Sequence, residues 1–351
     1  MLNVLTEQLR RRENLTEEQV RDAIAQLTAE TVAVEAKADF LTALAQKGEA
    51  TEEIANFARH LRELSIQPPL DAETRAREIL DVCGTGGDKL NTFNISTTVA
   101  LVCAAGGVTV AKHGNRAITS QSGSADVLET LGIRIDLTPE EAARSLKEHH
   151  FAFFFAQKYH PAFKNIGPAR KLCAERGQRT IFNFLGPLMN PVRPSAQLIG
   201  VPRPQLCEPM ARVLQSLGIR RGMVVTGEVP VPGQPSPAHL DEFSTLGETT
   251  VAEFYHDRGF TTSSLSPENY PLQPATLADL AGGDKEANAT IVRRVLAGDE
   301  RGPKRDAVLL NAGAALFVAG KVKSITEGWE LAANLIDGGR ASAQLKALSG
   351  R

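Results

Sequence analysis

Apolar positions recur at helical spacing through the first 65 residues. Thr16 and Gln19 read as a capping box, after which Val20, Ile24 and Leu27 fall on one helical face. Ile54, Phe57, Leu61 and Leu64 repeat that spacing beyond a break at Gly48, and Pro68-Pro69 ends it because consecutive prolines cannot continue a helix. The pattern predicts three short amphipathic helices. Their apolar faces are too small to make a core alone, so another domain or another subunit must cover them.

The period changes from residue 78. Ile79 to Cys83 is a short apolar run stopping at Gly84, as a buried parallel strand would. Ser96 to Ala105 reads as a helix, Val108 to Ala111 as a strand, and Ser124 to Leu131 as a helix closed by Gly132. Thr138-Pro139-Glu140-Glu141 combines a cap, a proline at the first helical position and a capping box. Phe151 to Phe155 and Met223 to Thr226 read as further buried strands, and Ala307 to Val318 and Thr326 to Ile336 as helices apolar enough to cover a sheet. Strands alternating with helices predict an α/β protein with a mostly parallel central sheet flanked by helices. The expected division is a small all-helical domain over residues 1–70, completed by helices around 165–190, and an α/β domain over 71–351. Gly227 to Ala238, with four prolines and two glycines, is expected to be the least ordered stretch.

Composition narrows the function. The 351 residues carry 39 Lys plus Arg against 41 Asp plus Glu, a net charge of −2, so the basic excess of a duplex-binding protein is missing. Aromatic residues are only 5%, which argues against a stacking platform for single strands. No window offers 18 uninterrupted apolar residues, and the start of the chain does not read as a signal peptide. The four cysteines, Cys83, Cys103, Cys173 and Cys207, lack C-x-x-C spacing, so a reducing, cytoplasmic setting is expected.

Three loops carry candidate chemistry. Gly84-Thr85-Gly86-Gly87-Asp88 directly follows a strand, and its glycines let backbone N–H groups face an anion. It lacks the ending of a Walker A loop, and Lys89 stands where the third glycine of G-x-G-x-x-G belongs. Alone, it is equally an ordinary strand-to-helix turn. Asn94-Ile95-Ser96-Thr97-Thr98 then opens a helix, adding hydroxyls and amides at its positive end, although any N-cap looks similar. Lys112-His113-Gly114-Asn115-Arg116 places two cations and an amide at the end of the next strand, where open α/β sheets bind ligands.

In combination these runs resemble the anthranilate phosphoribosyltransferase family, which shares its fold with the pyrimidine nucleoside phosphorylases. The likeness continues through Thr92 to Thr97, Ser122 to Asp126, His160 to Lys164, Gly167 to Arg170, Arg179 to Asn183 and Gly186 to Pro191. It resumes at Leu240-Asp241-Glu242-Phe243-Ser244 and, more loosely, from Arg305 to Ala312. The resemblance implies transfer of a 5-phosphoribosyl group from phosphoribosyl pyrophosphate (PRPP) to anthranilate, with Mg²⁺ as cofactor. It implies PRPP contacts at Gly84, Gly87, Asp88, Thr92, Asn94, Ile95, Ser96, Thr97, Lys112, His113, Gly114, Asn115, Arg116, Ala117, Ile118, Thr119, Ser120 and Ser124. Gly84, Asn115 and Arg170 would contact anthranilate, and Ser96, Asp241 and Glu242 would hold Mg²⁺. It also implies a homodimer formed through the N-terminal helices.

The residue types agree with that chemistry. Mg²⁺ takes one or two carboxylates together with waters and phosphates, and Asp241-Glu242 supplies an adjacent pair. Arg170 offers a planar fork for a carboxylate. His113 could orient the acceptor or be structural. A pyrimidine nucleoside phosphorylase-like enzyme and a non-catalytic nucleic-acid-binding relative are the alternatives; the Asp-Glu pair with KHGNR disfavours the first and the charge balance the second. Lys89-Leu90-Asn91 replaces the small, glycine-rich residues usual in the family after GTGGD, which predicts a stiffer, more positive loop.

Overall fold

The computed structural model describes residues 1–117, 121–256 and 259–350. The chain opens with four helices, α1 (Leu2–Arg10), α2 (Glu17–Thr28), α3 (Val34–Lys47) and α4 (Thr51–Glu63). The Thr16–Gln19 capping box forms as expected, and Val20, Ile24 and Leu27 are buried. The count exceeds the expected three because α3 buries small and large apolar groups in close succession, Ala38, Phe40, Leu41, Ala43 and Leu44, which blurs a single stripe. Leu64 lies one residue beyond α4 and is 46% exposed, so the apolar spacing outran the helix.

After α5 (Ala72–Ala76) come β1 (Ile79–Gly84), α6 (Ile95–Ala105), β2 (Thr109–Gly114), α7 (Ser124–Thr130), α8 (Pro139–His149) and β3 (Phe151–Phe155). Then follow α9 (Ala156–Tyr159), α10 (Gly167–Glu175), α11 (Phe182–Leu185), β4 (Ala196–Gly200), α12 (Cys207–Ser216) and β5 (Arg221–Val229). The chain continues through β6 (Ala238–Leu240), β7 (Thr249–Tyr255) and β8 (Thr261–Leu265), and ends in α13 (Lys285–Ala297), α14 (Pro303–Val318), α15 (Ile325–Asp337) and α16 (Arg340–Ser349).

The sheet runs β3-β2-β1-β4-β5-β7-β8, with β6 also on β5. Its first five strands are parallel and the pairings of β6, β7 and β8 are antiparallel. From β1 the chain steps outward to β2 and β3, then returns to the other side of β1 for β4 and β5. The direction of winding therefore reverses between β1 and β4, and the crevice at the carboxyl ends of such neighbours is where open α/β sheets take ligands.

Four of these strands were not evident in the sequence. In β4 the buried Gln197 interrupts the apolar run; it is accommodated because its Nε2 donates to the Pro187 carbonyl at 2.7 Å. The Thr261–Leu265 strand is a polar edge, and β7 alternates only weakly. The short β6 lies at the end of the proline-rich stretch. Gly227 to Val229 finish β5 and Ala238 starts β6, so that stretch is a hairpin connection with strand at both ends.

One sheet face, with Leu80, Val82, Val110, Leu198 and Val225, packs under α6 and α13–α16. The other, with Ile199, Val224, Ala252 and Phe254, shares a continuous core with α1–α4, α10, α11 and α12. The apolar faces of the N-terminal helices are thus covered within one chain. Lys37 fastens this body by donating to the carbonyls of Ala29 at 2.7 Å and Asn165 at 3.0 Å.

Candidate active site

β1 and β4 end side by side, Gly84 opposite Gly200. β4 pairs with β5 up to Val225, and β6 takes the place beyond it, with Leu240 opposite Gly227. The chain leaving β6 therefore runs back onto the end of β4. A Cβ at Gly200 would overlap the carbonyl of Asp241, one at Gly84 would come within 2.8 Å of the Asp241 carboxyl carbon, and one at Gly227 within 2.8 Å of the Glu242 carbonyl. Three glycines on adjacent strands make a floor on which the Asp241–Glu242 turn can lie. Both carboxylates are directed at the reversal point.

Each carboxylate is held by backbone. Gly86 N–H donates to Asp241 Oδ2 at 2.6 Å, and Ser96 N–H, in the first turn of α6, donates to Glu242 Oε1 at 3.1 Å. Both side chains are largely buried. Burial, followed by the charge of Asp88, pushes the Asp241 carboxyl well above the ordinary range, and burial likewise raises Glu242 against the opposing pull of Lys112. Three acidic groups crowd one spot beside a helix N-terminus, an arrangement a divalent cation would relieve. Among the described residues no group of three His, Cys, Asp or Glu side chains closes into a ready metal cage. An adjacent pair with open positions suits Mg²⁺, which keeps waters and phosphate oxygens in its shell.

The surrounding loops meet at the same place. Lys112, fully buried, donates from Nζ to the Val82 carbonyl at 2.7 Å and to Ser96 Oγ at 3.4 Å beneath the loops; burial lowers its pKa, while neighbouring groups including Asp81 and Glu242 oppose that shift. Asn94 accepts from Asn288 Nδ2 at 2.9 Å, and Thr92 bridges to Ala281. Ile95 packs into the core and Thr97 is buried beside it in the first turn of α6. Gly114 lies against Ser124, whose Oγ donates to the Asn115 carbonyl at 3.4 Å. Ala117 N–H donates to Asp126 Oδ2 at 3.0 Å, while the exposed Arg116 forks onto Asp126 and Glu129, both at 2.9 Å. Gly87 is exposed and Asp88 half-buried at the mouth. Ile118, Thr119 and Ser120 lie outside the described residues. Lys89 and Asn91 adopt left-handed backbone with φ of 62° and 52°, the region a glycine takes more readily.

Arg170 enters from α10. Its guanidinium lies 4.9 Å from the Phe182 ring centroid, has no ion pair among the described residues, and is lowered in pKa by burial. A series of rings connects it to His113: Phe182 to Phe163 at 5.6 Å, Phe163 to His160 at 5.1 Å, and His160 to His113 at 5.2 Å. The two imidazoles meet Nε2 to Nε2 at 3.2 Å, and burial holds them neutral, with His113 pushed down to about 3 and His160 to about 4.

Sequence reasoning missed the polar support under this site. Asp81, inside β1, accepts from Asn190 Nδ2 at 2.9 Å and from the peptide N–H of His113 at 3.4 Å, and burial raises its carboxyl to about 6. An aspartate within a buried apolar strand was the available signal. Gly200, Gly227 and His160 were missed as well; His160 sat in a quoted run without a role.

Residues 76–342 match the model of the glycosyl transferase family a/b domain, and residues 4–65 that of the same family's helical bundle domain. The chain is 45% identical over 348 residues to the anthranilate phosphoribosyltransferase of Lacticaseibacillus casei strain BL23, covering 99% of this chain and 96% of that protein. It is 44% identical over 352 residues to the enzyme of the same name from Geobacter sp. strain M21, covering 96% and 95%. Among solved structures, anthranilate phosphoribosyltransferase from Thermus thermophilus superposes with a TM-score of 0.87 at 41% identity, covering 99% and 98% of the two chains. The enzyme from Saccharomyces cerevisiae in complex with PRPP and Mg gives 0.86 at 27% identity, covering 99% and 97%.

Proposed function

Because the chain belongs to the anthranilate phosphoribosyltransferase family, we infer that it transfers the 5-phosphoribosyl group of PRPP to the amine of anthranilate. The products are N-(5-phosphoribosyl)-anthranilate and pyrophosphate, and the step belongs to tryptophan biosynthesis. The observation that carries this reading is the Asp241–Glu242 turn on its glycine floor, beside the N-terminus of α6 and at the reversal of winding.

In this reading Asp241, Glu242 and Ser96 hold Mg²⁺. When bound, the ion neutralises phosphate charge on the donor and its leaving pyrophosphate. With the Gly86 and Ser96 N–H groups held by the two carboxylates, the N–H groups of Gly87, Asp88 and Thr97 would meet the same anion, and the ammonium of the buried Lys112 lies beneath them. Arg170 takes the acceptor's carboxylate and, with Asn115 and Gly84, orients its amine toward C1 of the ribose. As the bond to pyrophosphate breaks, C1 gains oxocarbenium character and the amine nitrogen bonds to it, releasing one proton to solvent. An aromatic amine is unprotonated at neutral pH, so positioning and electrostatics suffice without a strong base. The neutral His113–His160 pair sets the wall of the acceptor side rather than carrying charge.

The same reading divides the chain at residue 70, places it in the cytoplasm and assigns it a homodimer through the N-terminal helices. Four unbridged cysteines suit a reducing setting, and the exposed Met1 and Val4 of the first helix suit a contact there. Among the described residues no helix is long and apolar enough to cross a membrane. Steady-state assays decide the activity. Consumption of anthranilate should require both PRPP and Mg²⁺, and phosphorolysis of thymidine without PRPP-dependent turnover would overturn the reading.

A further inference from the structure

The stretch Arg305 to Ala312 belongs to α14, and one of its polar residues reaches the carboxylate turn. Asn311 is fully buried, and its side-chain amide pairs with the backbone of Phe243, the residue after Glu242. Phe243 N–H donates to Asn311 Oδ1 at 2.9 Å, and Asn311 Nδ2 donates to the Phe243 carbonyl at 3.1 Å. The second hydrogen of the amide goes to the Ala307 carbonyl at 2.9 Å, one turn back in α14, which fixes the rotamer. The neighbouring polar residues of the run face elsewhere: Arg305 pairs with Asp337 at 2.8 Å, and Asp306 accepts from Gln273 N–H at 2.8 Å.

The double bond to Phe243 copies what an adjacent strand would offer. It requires a donor and an acceptor at fixed spacing on a short side chain, which among buried residues is the property of asparagine. A carboxylate there would place a second acceptor against the Phe243 carbonyl. Below the turn, Gly200 and Gly227 leave it room but exert no pull, since they offer no side chain. Ser244 closes the far end, its N–H donating to Thr249 Oγ1 at 3.0 Å and its Oγ to the Glu228 carbonyl at 2.6 Å. Between Leu240, paired with Gly227, and Ser244, the side chain that grips the backbone of the turn on both its N–H and its carbonyl is Asn311.

We propose that Asn311 is a positioning residue of the reaction, holding the Asp241–Glu242 turn at the height its carboxylates need to bind Mg²⁺. This rests on reading the turn as the metal site. Without the amide, Phe243 loses both partners, the turn lifts from its glycine floor, and the two carboxylates no longer converge.

The test compares Asn311→Ala with Leu316→Ala, a core truncation in the same helix, and with the double variant Asp241→Ala, Glu242→Ala. Asn311→Ala should raise the Mg²⁺ concentration for half-maximal turnover by roughly tenfold, as expected for losing about 1.4 kcal/mol of positioning, with the anthranilate KM unchanged. In substrate-free protein, amide hydrogen exchange across residues 241–246 should accelerate, a readout independent of activity. Leu316→Ala should lower Tm while keeping the wild-type Mg²⁺ dependence and the wild-type exchange of that segment. If Asn311→Ala does not fold, Asn311→Ser, which retains one hydrogen-bonding group, should show part of both effects. Wild-type Mg²⁺ dependence and exchange in the Asn311 variant, alongside a shifted dependence in the carboxylate double variant, overturns the proposal. An unshifted dependence in the double variant overturns the metal reading instead, and the exchange rates then decide whether Asn311 holds the turn.

Discussion

At the scale of single residues, cations of the same type have different partners and should behave differently on substitution. Arg116 is exposed and already shared between Asp126 and Glu129, an arrangement worth about 0–1 kcal/mol at a protein surface. Lys112 is buried, with its charge facing Glu242, so Lys112→Ala strands a carbonyl and an acidic group together. Turnover should therefore fall much further in Lys112→Ala than in Arg116→Ala when both are assayed at saturating anthranilate; equal losses would show that Arg116 leaves its acidic partners to bind PRPP. Arg170 differs from both, because its guanidinium carbon lies over the Phe182 ring and it has no acidic partner among the described residues. A guanidinium without an acidic partner suits a planar carboxylate. Arg170→Ala should raise the anthranilate KM about tenfold or more, the cost of a charge-assisted pair of about 1.5–3 kcal/mol, with the PRPP KM unchanged. A raised PRPP KM with an unchanged anthranilate KM would move this arginine to the other half of the site.

At the scale of elements, the end of β2 and the segment after α9 are joined by two neutral histidines, and this junction contributes to the acid dependence of stability. The folded-state pKa values of His113 and His160, about 3 and about 4, lie below the ordinary value near 6.5. The unfolded chain thus binds protons that the folded chain refuses, and stability contributed by both is lost as pH falls from about 6.5 toward 4, at up to ~1.4 kcal/mol per pH unit for each histidine. Asp81 opposes them: its raised carboxyl, about 6, takes up a proton in the folded state and regains stability as pH falls below that value. Asp241 and Glu242, raised as well, oppose the histidines in the same way, so the histidines show by comparison: in urea unfolding the stability of His160→Gln relative to wild type should rise as pH falls from 6.5 to 4.5. Identical pH dependence in the two proteins would mean that the pair titrates normally. The elements at this junction were only partly legible in the sequence. β1 and β2 are short, mostly apolar runs ending in a glycine, β3 is apolar throughout, and the caps at Thr16 and Thr138 name their helices directly. β4 was hidden because Gln197 breaks its apolar run, and only tertiary hydrogen bonds make that residue acceptable inside. The loops of the site were legible because their groups are neighbours in sequence. The glycine floor was not, because it is a relation between Gly84, Gly200 and Gly227, set by strand register rather than by spacing.

At the scale of the whole molecule, the N-terminal helices share one core with α10, α11, α12 and the second face of the sheet. The sequence-based argument for dimerisation, that these faces need a cover, is therefore met inside one chain. What remains outside is narrower: Met1 at the N-cap of α1 and Val4 within it are 70% and 71% exposed, and Leu64 and Ile66 beyond α4 are 46% and 39% exposed. Specific dimers bury roughly 1,200–2,000 Å² in total, far more than these few side chains supply, so polar surface of the helical body must make up most of the interface. Such a contact should dissociate on dilution rather than behave as an obligate pair. Light scattering across a concentration series should show a dimer at high protein concentration, and Val4→Glu should shift the midpoint of dissociation upward by placing a charge in the contact. In the proposed reading the groups that would meet substrates and metal all come from one chain, with Arg170 on α10 and the carboxylate turn after β6. Val4→Glu should accordingly keep the wild-type kcat while losing the dimer. A monomer at every concentration in the wild-type protein would remove the dimer from the reading, and a kcat that falls in step with dissociation would show that a second copy contributes to the site.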